Sequence, residues 1–170
     1  MNGTYEEIEG RPALRFERSF KHPVERVWRA VSEPEEMQRW FPATVTVDLR
    51  PGGAMSFEFD DPDAPTTTRE ITELDPPRLL AFSWGDDLLR FELEPQGEGS
   101  RLVFIHFLSQ RDEAARNAAG WDMCLRELDR HVAGGPASAP GIGVTPEWRD
   151  LYDGYVGSGM PSGAPIPEAS

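Results

Sequence analysis

The sequence is short of cysteine, lysine and long apolar runs, and each shortage excludes a class of protein. Cys124 is the only cysteine among 170 residues, so neither a disulfide framework nor a cysteine metal cluster can form within one chain. No apolar run approaches the roughly 18 residues needed to cross a bilayer. Residues 1–10 lack the basic and apolar regions of a secretory signal, so the expected location is the cytoplasm. Lys21 is the only lysine, and 17 Lys and Arg stand against 30 Asp and Glu, a formal charge of −13. The arginines are scattered among acids rather than clustered, and a polyanion of this kind repels phosphate backbones and anionic membranes; neither nucleic acid nor membrane is an expected partner. The preference for arginine over lysine reads as the codon bias of a GC-rich bacterial genome. Histidine is scarce too: His22, His106 and His131 fall on separate elements and form no metal-ligand spacing. Asp60, Asp61 and Asp63 imitate the start of a calcium loop, but Pro62 and Pro65 interrupt it. With no phosphate-cradling loop and no serine elbow, the expectation is no metal and no cofactor.

What is present divides the chain in two. Residues 134–170 hold eight of the 16 glycines and six of the 16 prolines, a density that breaks regular structure and marks a tail appended to a domain at 11–133. One island in the tail differs. Thr145 and Pro146 suit the cap and first turn of a helix, and Trp148, Leu151, Tyr152, Tyr155 and Val156 recur at helical spacing, predicting a short helix over 146–156. Within the domain, alternation predicts a strand over 13–20, followed by a helix carrying Val24, Val27, Trp28 and Val31 on one face and a second short helix opened by Pro34. Six short strands come next, over 44–49, 54–59, 67–74, 79–84, 88–93 and 101–108, separated by turn residues. A long helix over 112–132 ends the domain. This order predicts an α+β fold in which a curved antiparallel sheet of about seven strands wraps the long C-terminal helix, with the two short helices plugging one end. The inward sheet positions are mostly aromatic, so an apolar gap is expected between sheet and helix.

The segment from His22 to Trp28, then Trp40-Phe41-Pro42, Arg50-Pro51-Gly52-Gly53 before a Phe-rich strand, Asp75-Pro76-Pro77-Arg78 with Trp84, His106 and Gly120-Trp121 resembles the heat-shock protein 90 ATPase activator homologue-like family. That family belongs to the START-like, helix-grip or SRPBCC superfamily, alongside polyketide cyclases and the major birch-pollen allergen. The resemblance covers residues 11–133 and implies the helix-grip fold and a cavity for a small hydrophobic molecule; it implies no single activity, because this fold hosts carriers, cyclases, hydrolases and cochaperone modules.

The expected ligand contacts are Trp40, Phe57, Phe59, Trp84, Phe91, Phe104, His106, Trp121, Cys124 and Leu125. His106 is a lone imidazole on an apolar face, suited to orienting a ligand and the one weak candidate for acid-base chemistry. Three functions stay open: a carrier, sequestering or sensing protein for a small hydrophobic molecule; a cyclase- or hydrolase-type enzyme drawing on His106, Arg69, Glu58 or Asp122; and a cochaperone-like interaction domain. The first is the leading expectation. Gly120 inside the long helix costs about 1 kcal/mol relative to alanine and suggests a close approach or a bend. Val103, Ile105 and Phe107 face outward if their neighbours face inward, where the family tends to place threonines. An apolar edge of that kind calls for a cover: either the helix carrying Trp148, Leu151, Tyr152 and Tyr155 folds back over its own sheet, or, the favoured expectation, a homodimer forms through Val103, Ile105 and Phe107 with those tail residues contributing.

Overall fold

The computed structural model describes residues 2–141 and 143–167; the last three residues of the expected tail, 168–170, lie outside them. The described residues form eight strands and four α-helices: β1 (Thr4–Ile8), β2 (Arg11–Phe20), α1 (Val24–Ser32), α2 (Pro34–Met37), β3 (Thr44–Val47), β4 (Ala54–Glu58), β5 (Thr67–Asp75), β6 (Leu79–Trp84), β7 (Asp87–Gln96), β8 (Gly99–Phe107), α3 (Ala114–Val132) and α4 (Pro146–Gly157). The strands make one antiparallel sheet in the order β1-β2-β8-β7-β6-β5-β4-β3. A register shift between Ile71 and Glu73 breaks the β5–β6 ladder, the kind of irregularity that bends a sheet. The result is the expected helix grip with one strand more than foreseen. β1 joins β2 through Glu9 and Gly10, both at positive φ (54° and 75°), as a two-residue hairpin of the primed type requires. A Glu-Gly pair is a faint signal for such a turn, which is why residues 4–8 do not stand out as a strand in the sequence.

The helices follow their patterns. Pro23 precedes α1, whose Val24, Val27, Trp28 and Val31 are buried, and Pro34 opens α2 at its first turn. The 19-residue α3 is wrapped on two sides: Leu125 and Leu128 face the sheet core, while Ala119 meets Val144 and Trp148 of the tail. α4 starts where Thr145 Oγ1 accepts from the Trp148 backbone N–H at 3.1 Å, with Pro146 in the first turn. It lies on α3, and the Ala115 N–H donates to the Pro161 carbonyl at 3.0 Å.

That placement corrects the expected role of the tail. Trp148, Leu151, Tyr152 and Tyr155 pack toward α3 and the main core, not over the outer face of the sheet. Val103, Ile105 and Phe107 are nevertheless only 7%, 7% and 2% exposed. Their cover comes from within the sheet. Ile105 is flanked across its neighbours by Arg15 and Arg90, and Val103 by Glu17 and Glu92. These side chains pair along the face: Arg15 with Glu17 at 3.0 Å, Arg90 with Glu92 at 2.9 Å, and Arg101 with Glu94 at 2.6 Å and with Glu17. These long side chains flank the apolar row, and their paired heads are partly exposed. Ala13, Ile8 and Leu88 close its far end, and the Arg11 guanidinium sits 5.1 Å from the centre of the Phe107 ring. The physical reason for expecting a second subunit at this edge is thereby removed.

A buried polar knot ties both ends of the described chain to α3. Asp122 is 2% exposed. It accepts from Tyr155 Oη, from the Asn2 backbone N–H at 3.3 Å, and lies 3.9 Å from the Arg18 guanidinium. Tyr155 Oη in turn accepts from the Gly3 N–H at 2.8 Å. Burial, reinforced by the Asp122 hydrogen bond, pushes the Tyr155 phenol well above its ordinary range, so it stays a donor. Gly3 has to be glycine: a Cβ there would lie 2.6 Å from Phe16 Cζ and 3.0 Å from Tyr155 Oη, and Phe16 is packed in the core.

Two substitutions test the knot. Tyr155→Phe removes one donor from a buried carboxylate and leaves the Gly3 N–H short of a partner, and should lower stability by about 1–3 kcal/mol. Gly3→Ala forces Phe16 or α4 to move and should cost about as much. Urea denaturation of both variants checks this; stability unchanged in both would mean that Asp122 is satisfied some other way.

Candidate functional site

Most of the residues expected to contact a ligand are engaged with one another. Phe91 and Phe104 stack at 4.6 Å, Phe57 and Phe82 at 5.6 Å, and Trp40 meets Phe91 edge-on at 6.0 Å. Trp40 also donates its indole N–H to the Ala30 carbonyl at 2.8 Å. Trp40, Phe57, Phe91, Phe104 and Leu125 are fully out of water, and Phe59 is half-buried at the side of Trp84, 5.8 Å between ring centres. Stacked aromatic rings therefore occupy the region where the sequence leads one to expect a gap.

Open space lies to one side, where α3 passes under the tail. A cleft of about 200 Å³ is bounded by Trp84 and Trp121, by Cys124 and Gly120 on α3, by Pro42 after α2, and by Pro140, Val144 and Trp148 of the tail. Of the ten expected residues it gathers Trp84, Trp121 and Cys124; Pro42, Asn117 and the whole tail wall were missed. The indoles of Trp84 and Trp121 stand 6.3 Å apart, tilted at 54°. A second depression, about 230 Å³, shares Pro42, Pro140 and Gly141 with the first. Gly120 takes its meaning here. A Cβ at that position would meet nothing nearer than Trp148 Nε1, at 4.0 Å, so no close backbone approach demands glycine; the missing side chain leaves the cleft floor open. Asn117 lines one edge, its Nδ2 donating to the Glu113 carbonyl at 3.1 Å. Burial, with the Glu127 charge beside it, pushes the Cys124 thiol far up, which makes it a packing group and not a nucleophile.

His106 does not line the cleft but stands behind it. The ring is wholly buried. Its Nδ1 accepts from Trp121 Nε1 at 2.8 Å, and its Nε2 lies 2.6 Å from Asp87 Oδ2. An indole N–H can only donate, so Nδ1 carries no proton, and the proton of the neutral ring sits on Nε2, pointing at Asp87. Asp87 Oδ1 accepts from the Ser109 N–H at 2.7 Å. Burial raises the Asp87 carboxyl, but the hydrogen bonds from His106 and Ser109 outweigh it and hold the group below its ordinary range. Asp87 was not foreseen because Gly85-Asp86-Asp87 reads as a turn. The signal existed in parity: Leu89, Phe91 and Leu93 face inward, and two residues back the same face carries Asp87, diagonal to His106. The other acid-base candidates are scattered. Glu58 is exposed at the end of β4, Asp122 is consumed by the knot, and Arg69 is half-buried on β5, where its Nε has no partner. Among the described residues no three His, Cys, Asp or Glu side chains come together to hold a metal ion, and no helix is long and apolar enough to cross a membrane.

The Asp87 carboxylate gives a pH signature. A folded-state value below the unfolded one contributes stability that is full above about pH 5 and is lost as pH falls through the folded value. Asp87→Asn should destabilise the protein by about 1–3 kcal/mol at neutral pH, and the gap from wild type should narrow between about pH 5 and pH 2. Thermal unfolding across that range measures it; a gap independent of pH would contradict the charge assignment.

Solved structures share this architecture at low identity. EF2215 from Enterococcus faecalis, described as a conserved protein of unknown function, aligns with a TM-score of 0.72 at 20% identity, over 92% of this chain and 89% of its own. CalU16 from Micromonospora echinospora gives 0.69 at 22% identity over 93% and 94%. The protein encoded by gene BPP1335 of Bordetella parapertussis gives 0.66 at 24% identity over 99% and 93%. These identities establish the fold alone. No curated protein matches the chain. The family model described as "Activator of Hsp90 ATPase homolog 1-like protein" matches residues 21–133, from just before α1 to the end of α3. The chain thus belongs to the Activator of Hsp90 ATPase homolog 1-like family.

Proposed function

We propose that this protein binds a small hydrophobic molecule in the cleft between α3 and the tail, as a carrier, sequestering or sensing protein. The fold is one that commonly binds hydrophobic ligands. The observation that carries the reading for this chain is Gly120. Glycine in the middle of a 19-residue helix is unfavourable by about 1 kcal/mol relative to alanine, and the site has room for a methyl group. A residue that weakens its helix without easing any contact is accounted for by the space it leaves between Trp84, Trp121 and Trp148. Three indoles and three prolines suit a flat apolar ligand.

The enzyme reading draws on one specific observation, the buried His106–Asp87 pair. In a general-base dyad the second imidazole nitrogen is free to take a proton from the substrate. Here that nitrogen already accepts from Trp121, so acid-base work would require the indole to leave first. The pair is better suited to holding Trp121 than to turnover. The cochaperone reading rests on the family's description alone.

Titration with the neutral dye N-phenyl-1-naphthylamine tests the binding reading. Gly120→Ala should stabilise the fold by up to about 1 kcal/mol, while Gly120→Leu, which fills the cleft floor, should weaken dye binding by at least about tenfold. Dye affinity unaltered by Gly120→Leu, or no response from the wild type, would sink it.

A further inference from the structure

We infer that His106 and Asp87 are positioning residues for the cleft: they turn the Trp121 N–H away from the ligand, so that Trp121 offers its ligand a π face without its indole donor. The inference rests on the cleft being the binding site and adds which residues fix the orientation of its Trp121 wall. Three observations carry it. Trp121 is on the cleft wall, but its Nε1 is bonded at 2.8 Å to a wholly buried ring, so the polar edge of the indole points into the core. The imidazole cannot rotate freely, because Asp87 Oδ2 holds its Nε2 at 2.6 Å and Asp87 is itself fixed by the Ser109 N–H at 2.7 Å. The indole ring is meanwhile braced by Phe104, edge-on at 4.8 Å, and by Phe41 at 5.8 Å.

The consequence concerns ligand class. A tryptophan at the edge of a binding site ordinarily contributes both a ring face and an N–H donor, and so favours ligands with a carbonyl or other acceptor beside the ring. With the donor consumed, Trp121 recognises aromatic or fused-ring surface alone, through stacking and edge contacts. The rim carries the Asn117 amide and the Arg116 guanidinium, which pairs with Glu113 at 2.8 Å and donates to the Pro165 carbonyl at 2.8 Å, and the thiol of Cys124 is protonated by burial. The ligand that fits is a flat aromatic molecule whose ring lies on Trp121 and whose polar groups, where it has them, face the rim at Arg116 and Asn117.

Two substitutions separate positioning from mere stability. In His106→Asn the side-chain oxygen can occupy the place of Nδ1 and still accept from Trp121, while the link to Asp87 is lost. In His106→Gln the amide reaches toward Asp87, while the acceptor for Trp121 is lost. The readouts are the Trp121 indole N–H resonance in the full chain, assigned by its disappearance in Trp121→Phe; the affinity for N-phenyl-1-naphthylamine; and the Tm of each variant. The expected result is a split. His106→Gln moves the resonance, opens it to solvent exchange and weakens the dye by about tenfold, whereas His106→Asn keeps the resonance and most of the affinity at a similar Tm. Asp87→Asn, a change one hydrogen bond further from the indole, should broaden the resonance and weaken binding less than His106→Gln. Equal losses of affinity in both His106 variants, following their Tm, would assign His106 to stability alone and overturn the proposal, as would an unmoved resonance in His106→Gln. A wild type that binds no dye would overturn the cleft reading and the proposal with it, and the resonance, which needs no ligand, distinguishes that failure from the other.

Discussion

An imidazole sealed from water must satisfy two ring nitrogens or pay for them, and in this protein that requirement sets the relation of the sheet to its helix. His106 lies on β8, Asp87 at the start of β7 and Trp121 in the middle of α3. The chain of bonds from Ser109 through Asp87 and His106 to Trp121 runs across these elements with fixed direction at every step. Hydrophobic burial alone would hold α3 against the sheet, but it is non-directional and would tolerate a helix rotated or shifted by a fraction of a turn. Leaving any one of these polar groups unpaired costs about 1–3 kcal/mol, enough to choose among otherwise similar packings. The rotation of α3 then decides which of its residues meet the aromatic core and which look out at the tail, and so where Gly120 falls.

The core and the cleft have opposite demands, and the chain meets them on two sides of α3. On the sheet side, rings stack or meet edge-on at 4.6 to 6.1 Å and fill the space beneath the helix. On the tail side, small residues, Ala115, Ala119 and Gly120, keep the helix surface low. The tail can approach there without filling the space completely. Its glycines and prolines serve the same end from above: Pro140, Gly141 and Gly143 form a wall of backbone and short rings rather than of long side chains.

The sequence made most of the scaffold legible because the scaffold obeys periodicities of 2.0 and 3.6 residues. Leu14, Phe16 and Phe20, the stripe from Val24 to Val31, and Thr145-Pro146 with Trp148 and Tyr155 all lie where those periods put them. The less legible parts depend on distance in space. β1 is short, rich in glutamate and tied on by a turn of weak signature. Asp87 belongs to its strand by parity and to a turn by composition, and composition hid it. The outer row of Val103, Ile105 and Phe107 looks bare in the sequence because the arginines and glutamates that flank it come from other strands, Arg15 and Glu17 from β2 and Arg90 and Glu92 from β7. The inward aromatics were identified correctly as inward, but facing inward does not distinguish a ring that lines a space from one that fills it. Only the cross-sheet partner decides that, as Phe104 does for Phe91.

Asp122 receives Tyr155 from one end of the described chain and Asn2 from the other, and this arrangement bears on how the molecule would respond to damage. The segment joining α3 to α4 includes Pro136 and Ser138, which carry no regular structure and are exposed to solvent, the kind of stretch where a protease first cuts. A break there would not free α4. That helix would stay seated through Trp148 on Ala119, through Met160 and Tyr155 in the main core, and through the Pro161 carbonyl on the Ala115 N–H. The nicked protein would be two polypeptides behaving as one particle, its cleft still walled, until a denaturant separated them.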